Sequence, residues 1–167
     1  MLDEYASVRD GRPRDAKALA GVFRDSWLFA YAGIIPHAQL TAMISRRGLP
    51  WWRENLRRPR NIIVAEAGGH TAGYATFGPS RVAGRHRGEI YELYVAPEYQ
   101  GLGLGERLFE SARQRLDDLR LPGLIVWALS DNDSACDFYW RRGGRPVAST
   151  AERFGASSLK KTGFGWE

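Results

Sequence analysis

Three glycines at alternate positions, Gly101, Gly103 and Gly105, stand between an alternating polar and apolar run and a long amphipathic run. Glycine has no Cβ, so the backbone can turn tightly and bring successive amide N–H groups into one concavity. The amphipathic run predicts a helix, whose N-terminus attracts negative charge. The segment is therefore predicted to bind a phosphate group, with pyrophosphate as the natural ligand. An ordinary tight turn is the alternative, but it needs fewer glycines.

The spacing of these glycines differs from that of two common nucleotide-binding motifs. The dinucleotide motif G-x-G-x-x-G would need glycine at Glu106 or at Leu108, and the Walker motif would need Gly-Lys-Ser/Thr at its end. The segment does match Gln/Arg-x-x-Gly-x-Gly/Ala, through Gln100, Gly103 and Gly105. It resembles the pyrophosphate loop of the GCN5-related N-acetyltransferases (GNAT), a family that binds acetyl-coenzyme A.

A second stretch, residues 132–144, resembles the element Asn-x-x-Ala-x-x-Phe-Tyr-x-x-x-Gly-Phe of the same family. Gly144 stands where the family has an aromatic residue, which predicts looser packing there but removes no chemical group. The spacing of Trp27 and Tyr31 also resembles the first helical segment of many members. The resemblance thus covers nearly the whole chain.

The resemblance implies an α+β fold: a mixed, mostly antiparallel sheet flanked by helices and splayed between its fourth and fifth strands, often beside a bulge. It also implies that acetyl-coenzyme A binds there as co-substrate. Asn132 is equally well explained as a helix N-cap, and Glu106 is expected to point to solvent. Arg141 or Arg142 would meet the 3'-phosphate of the coenzyme, and the favoured alternative for both is a solvated helix end. The implied cofactor-binding residues are Leu93, Tyr94, Val95, Gln100, Gly101, Leu102, Gly103, Leu104, Gly105, Glu106, Asn132 and Arg141.

The implied reaction moves an acetyl group from a thioester to a primary amine. An amine with a pKa near ~10.4 loses its proton at a cost of roughly 4 to 5 kcal/mol at pH 7, so a base is useful. Glu89 and Glu92 are the candidates, and their odd separation predicts that they face opposite sides of the sheet. By resemblance Glu89 takes the base position and is favoured, whereas Glu92 lies nearer the thioester. A water-mediated route and a purely structural role for either carboxylate are the alternatives.

Tyr139 is the candidate acid for the departing thiolate, since the resemblance places it near the coenzyme sulfur and a phenol is protonated at neutral pH. Phe138 is assigned to the core. Cys136 has no flanking His or Lys that would lower its pKa, so direct transfer in a ternary complex is favoured over a covalent acyl-enzyme.

The amine acceptor is expected to contact Trp27 and Tyr31, together with the Trp51-Trp52 pair and the loop over residues 78–88. Aromatic residues at helical spacing are more often core, and for Trp27 that interpretation is the stronger one. The three histidines lack metal-ligand spacing, so no metal is predicted.

Periodicity predicts the elements that position these residues. Helices are expected after Asp15, after Pro36 and from Trp51. Strands joined by a Gly68-Gly69 hairpin follow the helices. The predicted strands cover 7–9, 62–67, 71–77, 89–95, 124–129, 145–154 and 159–166, and the later helices cover 103–120 and 133–142.

The 167 residues fit a single domain, 1–167, and the net charge of +5 favours anionic ligands. With one cysteine and no apolar run of membrane-spanning length, the chain is expected to be cytoplasmic, without a nucleic-acid or membrane partner, as a monomer or homodimer. Its expected partner is a small-molecule or peptide amine. Two alternatives are a coenzyme-binding module without turnover and a basic nucleic-acid-binding module that would use Arg53, Arg57, Arg58, Arg60, Arg81, Arg85 and Arg87.

Overall fold

A seven-stranded sheet runs through the computed structural model, which describes residues 5–58 and 61–167. In chain order its strands are β1 (Ala6–Asp10), β2 (Ile62–Ala67), β3 (His70–Pro79), β4 (Gly88–Val95), β5 (Leu124–Leu129), β6 (Arg145–Phe154) and β7 (Ser157–Trp166). They lie in the order β1-β2-β3-β4-β5-β7-β6, and β4 and β5 are the one parallel pair among the described strands. The predicted mixed, mostly antiparallel sheet is confirmed.

Helices cover both faces of this sheet. They are α1 (Ala16–Tyr31), α2 (His37–Arg46), α3 (Leu49–Asn55), α4 (Leu104–Asp118) and α5 (Asp133–Arg141), with short 3-10 turns at Pro13–Asp15 and Pro97–Tyr99. Successive strand residues point to opposite faces, so Val64 and Tyr74 pack with α1 and α3 while Ala65 and Ala75 pack with α4. None of the described helices combines the length and the apolar composition that a bilayer crossing requires.

Asp15 fixes the turn that leads from β1 into α1. Its buried carboxylate accepts hydrogen bonds from both terminal nitrogens of Arg9, each at 2.8 Å, and from the Arg12 N–H at 2.7 Å. Burial opposes ionisation of Asp15, but these hydrogen bonds outweigh it and hold the pKa of the carboxyl below its ordinary value. Asp15 therefore anchors the start of the helix through an ion pair, since its side chain makes no cap hydrogen bond to α1.

The predicted hairpin is confirmed at Gly68 and Gly69, whose φ angles of +56° and +79° lie in the left-handed region that glycine adopts easily. Most predicted boundaries fall within two residues of the observed ones. β3 runs on to Pro79 because its last residues still pair with the start of β4, where Pro79 lies opposite Gly88.

The looser packing expected at Gly144 is wrong. The ring of Trp166, at the end of β7, packs directly on this glycine, and a Cβ at residue 144 would collide with it. Trp166 is buried against Phe109 and Tyr139, and its Nε1 donates to the Arg142 carbonyl at 2.9 Å. An aromatic ring from another strand therefore covers the position where the family motif carries its own.

Candidate functional site

The parallel pairing of β4 with β5 stops after three residues and opens a cleft. Gly88, Glu89 and Ile90 pair with Leu124, Ile125 and Val126, and beyond them β4 follows β3 while β5 follows β7. The cleft has a volume of about 470 Å³. Side chains from α1, β4, β5, α5 and the glycine loop line it, as the predicted splay required.

A bulge in β4 lies at the point of opening. Glu92 is opposite Thr76 and Ile90 is opposite Phe77, so Tyr91 is one residue extra on β4. Partners in register point to the same face of a sheet. Since Glu92 pairs with Thr76 and Glu89 pairs with Gly78, two residues apart on β3, both carboxylates lie on the α1 face. The expectation that they face opposite sides is wrong, because the bulge shifts the alternation by one residue.

The glycine loop leaves a row of backbone donors at one end of the cleft. Gly101 and Gly103 have φ angles of +81° and +79°, and α4 begins directly after them at Leu104. Among the described residues, the N–H groups of 101–106 donate to no backbone carbonyl. A phosphate at a helix N-terminus is a natural acceptor for such groups. The loop therefore fits the diphosphate of a coenzyme.

Most of the predicted cofactor-binding residues line the cleft: Leu93, Tyr94, Val95, Gln100, Gly101, Gly103, Leu104, Gly105, Glu106 and Asn132. The Gln100 side-chain amide donates to the Val95 carbonyl at 3.2 Å, which ties the loop to the end of β4. Leu102 does not line the cleft, and its side chain is half-exposed.

Arg142, rather than Arg141, is the cation at the cleft. Arg141 is exposed and pairs with Asp137 at 2.9 Å, one helical turn earlier on α5. Arg142 lies with its guanidinium 3.6 Å from the centre of the Phe138 ring, donates to the Phe138 carbonyl, and approaches Glu106 at 3.6 Å. Glu106 thus lines the cleft beside a cation, although more than half of its side chain is exposed as expected.

Tyr139 lies in the wall of the cleft, packed between Phe109, Phe164 and Trp166. Burial raises the pKa of its hydroxyl above the ordinary value, so the phenol stays protonated. Within the described part of the chain this hydroxyl has no hydrogen-bond partner. It is a protonated donor with no acceptor among residues 5–58 and 61–167.

Asn132 and Cys136 differ in their relation to the cleft. Asn132 caps α5, with its Oδ1 accepting from the Ala135 N–H at 3.2 Å, and it also lines the cleft. Cys136 is not among the lining residues, and burial together with the nearby Asp133 charge raises the pKa of its thiol. The environment of Cys136 does not favour a nucleophilic thiolate.

The other end of the cleft, here called the α1 side, is mostly aromatic. It is lined by Ser26, Phe29, Ala30, Tyr31, Tyr91, Glu92, Tyr94 and Trp127. The hydroxyls of Tyr31 and Tyr94 lie 2.7 Å apart and share a hydrogen bond. Trp27 is instead a core residue, stacked on Phe23 at 4.7 Å and absent from the lining. Trp51, Trp52 and the loop over 78–88 do not reach the cleft.

Glu92 is the one carboxylate among the described residues of the α1 side. Arg47 donates to both of its oxygens, at 2.8 Å to Oε1 and 3.1 Å to Oε2, and the Tyr74 hydroxyl donates to Oε2 at 2.6 Å. The Arg47 guanidinium lies over the ring of Trp51 at 3.6 Å and near that of Phe23 at 4.4 Å. The ion pair is thus neutral overall and held in place by an aromatic cluster.

Glu89, which the resemblance favours as the base, has a different environment. It is buried, does not line the cleft, and accepts from the Arg81 N–H at 3.0 Å and from the Arg81 guanidinium at 2.6 Å. Its carboxylate ties the 78–88 loop to β4. The geometry therefore brings Tyr139 and Glu92 to the cleft and leaves Glu89 outside it.

Several contributors to the site were missed from sequence, among them Arg47, Phe29, Tyr91 and Trp127. Arg47 reaches Glu92 across 45 positions, and no local motif signals a pair so distant. Phe29 follows the buried Val22 and Ser26 at helical spacing on α1, so from sequence it is equally well explained as a core residue. Trp127 sits in an apolar strand where any large residue is equally well explained as core.

Several arginines of the nucleic-acid alternative have carboxylate partners. Arg57 pairs with Glu54, Arg81 with Glu89 and Arg85 with Glu167. Arg60 lies outside the described residues. No group of metal-ligating side chains is present in 5–58 and 61–167.

Comparison with known proteins gives matches along most of the chain. A model of the acetyltransferase (GNAT) family matches residues 23–144. The uncharacterized N-acetyltransferase YuaI of Bacillus subtilis is 30% identical over 162 residues, which cover 96% of this chain and 92% of YuaI. A mycothiol acetyltransferase of Streptomyces bingchenggensis is 31% identical over 86% of this chain, which spans only 44% of that protein. The structure of YncA from Salmonella typhimurium with acetyl-CoA superposes with a TM-score of 0.72 at 23% identity, covering 98% of this chain and 94% of YncA.

Proposed function

The chain belongs to the acetyltransferase (GNAT) family, and from that premise we propose that it transfers the acetyl group of acetyl-coenzyme A directly to a primary amine in a ternary complex. The observation that carries the proposal is the row of N–H groups at 101–106, which have no backbone acceptor among the described residues and lie where the cleft begins. They would hold the diphosphate of the coenzyme. Arg142 would add a positive charge at the same end.

Acetyl-coenzyme A supplies an activated thioester. The opened edge of β4, over Leu93 to Val95, is proposed to bind its extended arm through backbone groups, as a further strand would be bound. Asn132 would contact the same arm while it caps α5. Arg141 is not retained as a cofactor-binding residue, because its guanidinium is exposed and paired with Asp137.

Tyr139 is proposed to stabilise the departing thiolate by donating a hydrogen bond. Its hydroxyl is protonated, has no protein partner in the described residues and lies in the cleft wall. In a site that excludes water, a fixed donor aimed at developing charge lowers the barrier. The raised pKa of Tyr139 makes donation of a hydrogen bond easier to sustain than transfer of the whole proton.

Glu92 is proposed to accept a hydrogen bond from the attacking amine or from a water that carries its proton to solvent. A carboxylate offers about four lone-pair positions, and Arg47 and Tyr74 occupy three of them. The remaining position is on Oε1. Glu89 is not retained as the base, because it is buried against Arg81 away from the cleft.

The whole chain is proposed to act as one acetyltransferase domain, since its first and last thirds both contribute strands to the same sheet. The two alternatives to an enzyme are a coenzyme-binding module without turnover and a nucleic-acid-binding module. Ligand-dependent thermal unfolding distinguishes the nucleic-acid-binding module from the enzyme, and thiol release distinguishes the coenzyme-binding module from it.

Thermal unfolding in the presence of acetyl-coenzyme A, duplex DNA or single-stranded RNA tests binding. Ligand at one hundred times its Kd stabilises a protein by about 2.7 kcal/mol, which is a Tm rise of about 5 to 10 °C for a chain of this size. We expect that rise with acetyl-coenzyme A and none with either nucleic acid at physiological salt. The reverse pattern would overturn the proposal.

Thiol release with a panel of primary amines tests turnover. We expect release that depends on both acetyl-coenzyme A and amine, with intersecting double-reciprocal plots as a ternary complex requires. Coenzyme-dependent stabilisation without thiol release from any amine would leave a binding module and exclude the enzyme.

A further inference from the structure

Three carboxylates at or near the α1 side each have a cationic partner among the described residues. Glu92 pairs with Arg47 at 2.8 Å, and Glu89, three residues earlier on β4, pairs with Arg81 at 2.6 Å. Glu152, whose charge acts on Tyr31, pairs with Lys161 at 3.3 Å. The α1 side therefore presents little net negative charge to an acceptor.

This charge balance bears on which amines can bind. A polyamine or an aminoglycoside carries several positive charges, and each needs an unpaired carboxylate to offset the loss of hydration. A neutral Arg47–Glu92 pair offers only a weak field, and the net charge of +5 on the whole chain repels polycations at longer range. Polycationic acceptors are therefore disfavoured.

The lining of the α1 side suits an apolar body. Phe29 is 65% exposed and yet lines the cleft, and Tyr31, Tyr91, Tyr94 and Trp127 supply further aromatic surface. When an apolar ligand covers a large exposed aromatic side chain at the entrance of a cleft, the buried apolar surface contributes favourably to binding. Rings of this kind also bind a flat substrate by stacking or edge contacts.

Glu92 adds a limit on the number of amines. Its one remaining lone-pair position, on Oε1, can accept a single further hydrogen bond. One amine group, or one water attached to it, fills that position. No second carboxylate lines the described part of the α1 side to hold another ammonium group.

We infer that the acceptor is a monoamine with an aromatic or otherwise apolar body and no second positive charge, held between Phe29 and the neutral Arg47–Glu92 pair. The inference rests on the proposed acetyl transfer and narrows its acceptor. Arylalkylamines and apolar amino acids belong to this class. Polyamines, aminoglycosides and lysine-rich peptides do not.

The test compares kcat/KM for phenethylamine, L-phenylalanine and spermidine by thiol release, in the parent and in two variants. Phe29→Ser removes the exposed ring, and Leu28→Ser is the matched control, since Leu28 is an exposed neighbour on α1 that does not line the cleft. We expect kcat/KM for phenethylamine or L-phenylalanine to exceed that for spermidine at least tenfold. Phe29→Ser should lower kcat/KM for phenethylamine and L-phenylalanine about tenfold, and Leu28→Ser should change kcat/KM for these two amines less than twofold.

Two outcomes overturn the inference while acetyl transfer stands: spermidine as the best of the three amines, or equal effects of Phe29→Ser and Leu28→Ser. Absence of thiol release with every amine in the wider panel would remove the proposed function itself and the inference with it. The KM for acetyl-coenzyme A serves as the internal check, because neither variant should change it.

Discussion

Replacing Tyr139 by phenylalanine is expected to slow acetyl transfer about 10- to 100-fold and to leave the fold intact. The substitution removes only the hydroxyl, which has no hydrogen-bond partner among the described residues. Its loss leaves no other polar group unpaired, so the free energy of unfolding should change by less than about 0.5 kcal/mol. Coenzyme affinity should stay within about twofold, because the diphosphate end of the cleft is untouched.

Two pKa values decide whether Tyr139 transfers its whole proton or only donates a hydrogen bond, and this decides the size of the rate effect. A thiol has a pKa near ~8.5 and an ordinary phenol near ~10, and burial raises the pKa of Tyr139 further. Moving the whole proton from Tyr139 to the thiolate is therefore uphill by more than about 2 kcal/mol. A hydrogen bond to the developing charge contributes about 1.5 to 3 kcal/mol instead, which corresponds to the expected 10- to 100-fold.

The assay is steady-state thiol release from pH 6.5 to 9 with saturating amine. Because its pKa is raised, Tyr139 stays protonated across this range, and the parent and variant profiles should run parallel. Tyr31→Phe is the contrasting variant for stability, since it leaves the Tyr94 hydroxyl without its partner and should cost about 1 kcal/mol. A Tyr139→Phe kcat within twofold of the parent, or profiles that converge at alkaline pH, would refute the assigned role.

Three further predictions concern the loop, the ion pair and acid stability. Gly103→Ala and Gly69→Ala each place a Cβ at a φ of +79° with open space around it, so scanning calorimetry should find a similar decrease in stability for both. Titration calorimetry should find a loss of coenzyme affinity only for Gly103→Ala. Arg47→Met should lower the free energy of unfolding, measured in urea, by about 3 kcal/mol, because it leaves the Glu92 charge without its partner. Arg57→Met, at an exposed pair, should lower it by less than about 0.5 kcal/mol, and equal decreases would contradict a structural Arg47–Glu92 ion pair. The pKa of Asp15 is below its ordinary value in the folded state, so its stabilisation is complete above the unfolded pKa near 3.8 and is lost as pH falls below it. Asp15→Asn should flatten that acid decline in a pH series of Tm.

The turn and the helix start at the proposed diphosphate end could be predicted from sequence because they depend on local conformation. The end of a strand, the alternate glycines and the start of a helix follow one another over residues 95–105, and each acts through its own backbone. The same holds for Asn132, whose capping role is a property of one helix turn. Residues 88–95 were also identified correctly as a strand to within one residue.

The carboxylates could not be assigned from sequence because their orientation depends on register. The extra residue Tyr91 in β4 reverses the alternation, and nothing in the run from Glu89 to Val95 marks where the bulge lies. Their partners come from distant segments, Arg81 from a loop and Arg47 from the end of α2. Trp166 covering Gly144 is the same kind of long-range compensation.

The two ends of the cleft therefore differ in the groups that face a ligand: backbone groups at one end and side chains at the other. At the proposed diphosphate end the proposed donors are backbone N–H groups, which every residue type except proline provides, so binding there is expected to depend on glycine conformation. At the α1 side the surface consists of side chains such as Phe29, Tyr31 and Glu92, which substitution changes directly. We therefore expect substitutions on the α1 side to change which acceptor is preferred while the protein still binds the coenzyme. Variants of Phe29 should accordingly change acceptor preference without any change in the affinity for acetyl-coenzyme A.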